Sequence, residues 1–182
     1  MCGVPYHSAE QYIARLISKG YKVAVCEQLE DPKLTKGLVK RDVIRIISPG
    51  TLMESSMLPE GESNYLGALW LQGDRGGCAF ADVSTGEVCA ASFGSAAVNH
   101  LLNELGRFRP REAVLSPAAA GDRRIAEALD KRFSCRVEIS EPLFDPEQGR
   151  ERLRTQYGQD AAELGLDEDR SEEHTSELPV TT

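Results

Sequence analysis

Three short apolar runs, "NYLGALWLQ", "GGCAFADVS" and "GEVCAASF", follow one another between residues 64 and 93 with only turn chemistry between them. Nothing else in the chain restricts its fold as strongly. Each run is too short for an ordinary helix and has the apolar, bounded character of a strand. "QGDRGG" breaks the first run from the second, and "STG" joins the second to the third as tightly as hairpins do. Next, a helix is expected near Ser95–Leu105, with Val98, Leu101, Leu102 and Leu105 on one face. The strand "REAVLSP", a helix near Asp122–Phe133 and the strand "CRVEIS" follow, and "DPEQGRERLRTQYG" reads as a polar exit helix. Three meandering strands and then helix–strand–helix–strand make an α/β fold: a mixed sheet with flanking helices.

Residues 1–50 are organised differently. Ser8, with Gln11 three residues on, has the pattern of a capping box at a helix start. Ile13, Leu16 and Ile17 share a helical face, and Gly20 stops the helix. "YKVAVCEQL" and "DVIRIISPGT" read as strands around the polar loop "DPKLTKGLVKR", and Pro49-Gly50 ends the second. So short a segment buries little core alone and reads as the back half of a small α/β domain. "TLMESSMLPEGESN" has no sustained period, so a linker is expected over residues 51–63, between a unit at 1–50 and a second at 64–169.

Charge divides along the same line. The chain carries a net −8, but residues 1–50 hold eight Lys or Arg against five Asp or Glu, and the remainder 13 against 24. Only the first segment is suited to phosphate. The five cysteines, Cys2, Cys26, Cys78, Cys89 and Cys135, form no C-x-x-C pair, so neither a zinc site nor a disulfide framework is expected. Cys26, Cys78 and Cys89 lie in strand-like runs and read as small buried hydrophobes with reduced thiols. No apolar run is long enough to span a membrane, and the start lacks the pattern of a secretory signal, so a cytoplasmic location is expected.

Three segments resemble one family. "MCGVPYHSAEQYIARLISKGYKVAVCEQLEDP" is similar to the second half of the mismatch-recognition domain of the MutS family of bacterial DNA mismatch repair proteins. "KGLVKRDVIRIISPGT" is similar to the end of that domain and its exit, and "GCAFADVSTGEV" to the first hairpin of the adjoining connector, whose fold is ribonuclease H-like. The ordered motifs G-V-P-Y-H, C-E-Q-x-x-D-P and R-x-x-S-P-G-T carry the likeness, which runs from Met1 to about Asp169. It implies a partial mismatch-recognition domain followed by a connector, with Met1 matching an internal methionine of a longer protein. The ending "RSEEHTSEL" resembles the translation of a sequencing-library adaptor, so residues 170–182 are expected to stand outside the fold, and His174 with them.

The resemblance also implies a mode of action. In the family a Phe-x-Glu motif wedges an aromatic ring into the minor groove at a mispair, where weak stacking makes the duplex easier to kink. No Phe-x-Glu occurs in this chain. The strip beside that wedge corresponds to Met1, Cys2, Gly3, Val4 and Pro5, which inherit a DNA-contacting expectation. Gly3 allows close backbone approach and Pro5 stiffens the turn. Lys33, Lys36, Lys40 and Arg41 are phosphate candidates, with Lys36 and Arg41 on positions matching the family pattern. The parent proteins dimerise, bind ATP and Mg²⁺ in a distant domain and engage a MutL-type partner through the connector. No phosphate-binding G-x-x-x-x-G-K-[ST] loop occurs here, so no cofactor and no ATPase reaction are expected of this piece.

The competing reading is an enzyme. Ribonuclease H-like nucleases and actin-like phosphotransferases place an Asp on an early strand, and Asp82 in "ADVSTG" is so placed, with Glu138 as a distant second carboxylate. The plainer reading makes Asp82 a turn residue, with Ser84, Thr85 and Gly86 supplying hairpin chemistry. His7 reads as a capping or packing residue and His100 as a surface or boundary one.

Overall fold

The computed structural model describes residues 3–30, 37, 39–52, 63–159, 163 and 176–178. Met1, Cys2, Lys33, Lys36, His174 and most of the 51–63 linker lie outside the described residues.

The first unit is a helix, α1 (Tyr6–Ile17), laid on an antiparallel hairpin of β1 (Val23–Gln28) and β2 (Arg41–Ile47). α1 begins earlier than the capping-box pattern suggests. Pro5, with φ −60° and ψ 139°, is the N-cap, and its carbonyl accepts from the Ser8 N–H at 3.0 Å. Ser8 is therefore inside the helix and caps nothing. A proline already holds the φ that a helix entry requires. At the other end Gly20 adopts φ +79°; its N–H bonds the Ile17 carbonyl and the Tyr21 N–H bonds that of Leu16. This pair of bonds is the left-handed helix stop in which glycine carries no Cβ penalty. Ile17, Ile47 and Leu52 form a small core with Ile13, Val23 and Val25 packed against it, whereas Leu16 is exposed. The opposite side of the hairpin is open: Ala24, Cys26, Val43, Ile44 and Ile46 are all exposed.

Pro49–Thr51 forms a single 3₁₀ turn leading to the second unit. There β3 (Tyr65–Gln72), β4 (Arg75–Asp82) and β5 (Glu87–Phe93) form the expected antiparallel meander. β6 (Glu112–Leu115) and β7 (Arg136–Ile139) add in parallel on the far side of β3. The sheet order is β7-β6-β3-β4-β5, with β8 (Ser176–Leu178) outermost beside β5. This is the expected mixed sheet, reached because each of β6 and β7 returns through a helical crossover.

One face of the sheet holds the core. Leu69, Leu71, Cys78, Phe80, Cys89, Ala113 and Leu115 alternate inward along their strands. α2 (Ala97–Phe108) covers them with Ala97, Leu101, Leu105 and Phe108. This helix starts and ends two to three residues later than its periodicity suggests, and Val98 and Leu102 are only partly buried. The helix expected near Asp122–Phe133 runs over Arg123–Arg132, changing from α to π along its length, and a short unexpected helix precedes it. Pro117–Gly121 forms α3, capped by the Ser116 hydroxyl, and Arg123–Glu127 forms α4, capped by Asp122. A π-helical turn over Ala128–Arg132 then sinks Leu129 into the core. α5 (Pro146–Tyr157) is the polar exit helix and buries no residue fully.

Two expectations are corrected here. Ser176–Leu178 forms β8, antiparallel to β5, so this part of the tail joins the sheet. An outer strand leaves a row of N–H and C=O groups unpaired, and a short extended segment satisfies them through backbone alone. Cys26 is exposed, unlike Cys78, Cys89 and Cys135, because its side of the hairpin has no covering layer among the described residues. Burial pushes the Cys78 and Cys135 thiols up to about 12, with Glu104 and Glu112 respectively adding to the effect. Reaction with iodoacetamide at neutral pH, followed by peptide mapping, is expected to modify Cys26 at least tenfold faster than Cys78 or Cys135 until denaturant is added. Equal native rates would contradict the burial.

Candidate nucleic-acid interface

Of the seven residues nominated for DNA contact, Gly3, Val4, Pro5 and Arg41 are described. Gly3, Val4 and Pro5 precede α1 in an exposed turn, and Val4 keeps 41% of its surface. Among the described residues, no heavy atom outside its immediate neighbours lies within 4 Å of where a Cβ on Gly3 would sit, so this backbone is open to approach. Tyr6, at the first helical position, is 92% exposed.

Arg41 opens β2 and pairs in register with Gln28, the last residue of β1. Just outside that pair the Leu29 N–H bonds the Lys40 carbonyl at 2.9 Å, which holds Lys40 beside Arg41 at the hairpin's far end. Acidic groups share this end: Glu27 lies opposite Asp42, and the Glu30 carboxylate accepts from the Lys40 N–H at 3.4 Å. The local positive potential is therefore modest.

Both strips lie away from the Gly20 reversal. α1 carries Pro5 about 18 Å from it at 1.5 Å per residue, and β1 carries Gln28 about 20 Å from it at 3.3 Å per residue. The sharing of one small core by Ile13, Ile17, Val23 and Val25 lays helix and strand along each other.

Asp82 is 2% exposed and ends β4. One carboxylate oxygen accepts from the Asn64 N–H at 2.9 Å; the other accepts from the Ser84 N–H at 2.9 Å and its hydroxyl at 2.6 Å. Burial pushes this carboxyl up, but the bonds from Ser84, Asn64 and Thr85 outweigh it and hold it below the usual carboxylate range. Its acceptors thus strap the β4–β5 turn to the start of β3. Among the described residues no group of three or more His, Cys, Asp or Glu is arranged to hold a metal ion. Glu138, the second carboxylate considered, is paired with Lys22. His7 is exposed on α1, and His100 stacks on Phe93 with ring centroids 4.9 Å apart.

One buried acid escaped the sequence reading. Glu112, the first residue of β6, is 3% exposed and receives Lys22 Nζ at 3.2 Å and Arg136 Nε at 4.0 Å. Its other oxygen accepts from the Gly50 N–H at 3.2 Å. The only hint in the sequence is a glutamate at the head of a short apolar strand.

Comparison with known proteins follows this division. Residues 1–56 match the family described as MutS domain I, and residues 64–178 match MutS domain II. The DNA mismatch repair protein MutS of Acetivibrio thermocellus is 44% identical over 160 residues, covering 86% of this chain and 18% of the relative. That of Symbiobacterium thermophilum is 52% identical over 130 residues, covering 71% and 15%. That of Staphylococcus epidermidis is 42% identical over 168 residues, covering 92% and 18%. The chain spans less than a fifth of the length of these relatives.

Proposed function

The chain belongs to the MutS family, and from that premise we propose that it is the portion of a DNA mismatch repair protein that joins part of a DNA-contacting unit to its connector. What carries the reading is the consecutive match to domains I and II, in order and without overlap, on a helix–hairpin unit and a mixed sheet. Gly3, Val4 and Pro5, with Met1 and Cys2 before them, are the strip that lies along the groove, and Lys36 and Arg41 meet backbone phosphates. Phosphate contacts position a duplex without reading its sequence, as a sensor of mispairs in any sequence context requires. The connector offers its surface to a MutL-type partner, and the longer protein acts as a homodimer in the cytoplasm. Among the described residues no helix is long and apolar enough to cross a membrane.

On this reading the piece performs no reaction of its own; ATP and Mg²⁺ belong to another domain of the longer protein. The absence of Phe-x-Glu from the chain and the modest positive charge of residues 1–50 set the expected behaviour. Fluorescence anisotropy should detect weak binding to a labelled duplex that is lost as salt rises and is equal for a G·T mispair and its matched control. Arg41→Glu should weaken it several-fold. A several-fold preference for the mispair would show that recognition chemistry survives elsewhere in the chain. Binding unaffected by both salt and Arg41→Glu would remove the phosphate assignment.

A further inference from the structure

We propose that the Ser48–Thr51 turn and Glu112 form a latch that holds the helix–hairpin unit in one position on the six-stranded sheet, with Lys22 and Arg136 as its charged clasp. Glu112 is a buried carboxylate on the second unit, and two of its three partners, Lys22 and the Gly50 N–H, come from the first. Arg136, beside it on β7, reaches back across the junction and donates to the Gly20 carbonyl. Lys22 also bridges to Glu138. The two strands that run parallel at this edge, β6 and β7, thus each contribute an acid to the same lysine.

The turn is shaped to fit. The Ser48 N–H donates to the Thr51 hydroxyl at 3.0 Å and the two hydroxyls lie 2.9 Å apart, which closes the turn on itself. Gly50 then sits so close to the sheet that a Cβ would lie 2.9 Å from the Glu112 Cβ and 3.3 Å from Leu66. Its glycine is required by contact, since its φ is not in the left-handed region. Ile47 and Leu52 on either side are buried, and the Asn64 side-chain amide donates to the Leu52 carbonyl at 3.4 Å. This gives the S-P-G-T motif a physical role as a docking turn. A buried carboxylate whose cationic partner is removed keeps its desolvation cost and loses its compensation, so the junction should open before either unit unfolds. The clasp lies next to the Gly20 reversal, whereas the Gly3–Pro5 turn and Arg41 are at the unit's far end. Fixing the clasp therefore fixes where that far end points, whether or not it meets DNA.

Amide hydrogen exchange on the full chain tests the latch. Glu112→Gln keeps the side chain's size and an acceptor for Gly50 but removes the charge. Gly50→Ala leaves every charge in place and blocks the seat. Both are expected to speed exchange in residues 20–23 at least tenfold, and Glu112→Gln at Gly50 as well, while Leu69 and Cys78 in the sheet core keep wild-type protection. Lys22→Met should act in the same direction, and the double variant with Glu112→Gln should fall short of the sum of the two single effects, the remainder being the Lys22–Glu138 pair that Glu112→Gln leaves in place. Unchanged exchange at Gly50 in Glu112→Gln together with unchanged exchange in residues 20–23 in Gly50→Ala would overturn the proposal. So would acceleration spread equally through β3, β4 and β5, because Glu112 would then serve the sheet's own stability and not its junction.

Discussion

Phe80→Ala is expected to cost about 3–5 kcal/mol of folding stability, the range for removing a buried aromatic ring. Phe80, two residues before the end of β4, is 1% exposed. Its ring stacks on Phe108 of α2 at 4.4 Å and 15°, and Phe108 meets Tyr65 of β3 edge-on at 5.1 Å and 86°. The three rings tie the sheet to the end of its main covering helix, so truncating Phe80 removes the surface on which Phe108 stacks and leaves a cavity beside it. Domains of this kind have only about 5–15 kcal/mol of stability in total, so the variant should show a greatly lowered urea midpoint. Phe80→Leu, which keeps most of the volume, should cost less than half as much. A loss under about 1 kcal/mol for the alanine variant would mean that the rings do not form the centre of the core.

Asp82→Ala should cost about 1–3 kcal/mol at neutral pH, because it strands the buried Asn64 N–H, a donor worth about 1–3 kcal/mol when left unpaired, whereas the Ser84 N–H lies on an exposed turn where water can replace the bond. Asp82→Asn keeps one carbonyl acceptor and should cost less. The effect depends on pH in a defined direction. The folded state holds the Asp82 carboxyl below the usual carboxylate range, so its contribution is fully present above about pH 4 and is lost as pH falls through the lower folded value. The gap between wild type and Asp82→Ala in urea midpoint should therefore narrow from pH 7 to pH 3. A gap that widens in acid would mean that the protonated carboxyl does the bonding. The effect is one of stability and turn geometry, which fits Asp82 as a structural strap.

The parts of the fold legible in the sequence are those written in neighbouring residues. The meander from Tyr65 to Phe93 is visible because alternate residues face one core and the breaks between strands are glycine-rich. α2 is visible because Leu101 and Leu105 recur at helical spacing. α3 is not, because a five-residue alanine-rich turn behind Pro117 presents too few positions to reveal a period. The π turn at Ala128–Arg132 is hidden for a related reason: one extra residue per turn shifts Leu129 inward only once the core is there to receive it. Cys26 has the residue pattern of a buried strand position and is exposed, since burial needs a second layer as well as an apolar side chain. β8 is held by backbone pairing, which leaves no side-chain signature.

The candidate site divides in the same way. Gly3–Pro5 as a stiff exposed turn and Lys40 and Arg41 as exposed cations could be read directly, because exposure of a proline-led turn or a polar hairpin end follows from local chemistry. The acids that share the hairpin's end could be counted but not placed. R-x-x-S-P-G-T could be recognised as a motif and as a strand stop, but not as a seat.

The chain alone determined its own grammar: which runs are strands, where most helices fall, that residues 1–50 are the basic portion and that the ordered motifs belong with the MutS family. Only the tertiary structure decided that Glu112 is buried and that Gly50, 62 residues away in sequence, donates to it. Periodicity and turn propensity act between near neighbours and are therefore carried by any short window of sequence. The meeting of a lysine, an arginine, a glutamate and a bare peptide N–H depends on sheet order and register, and those exist only after distant strands have paired.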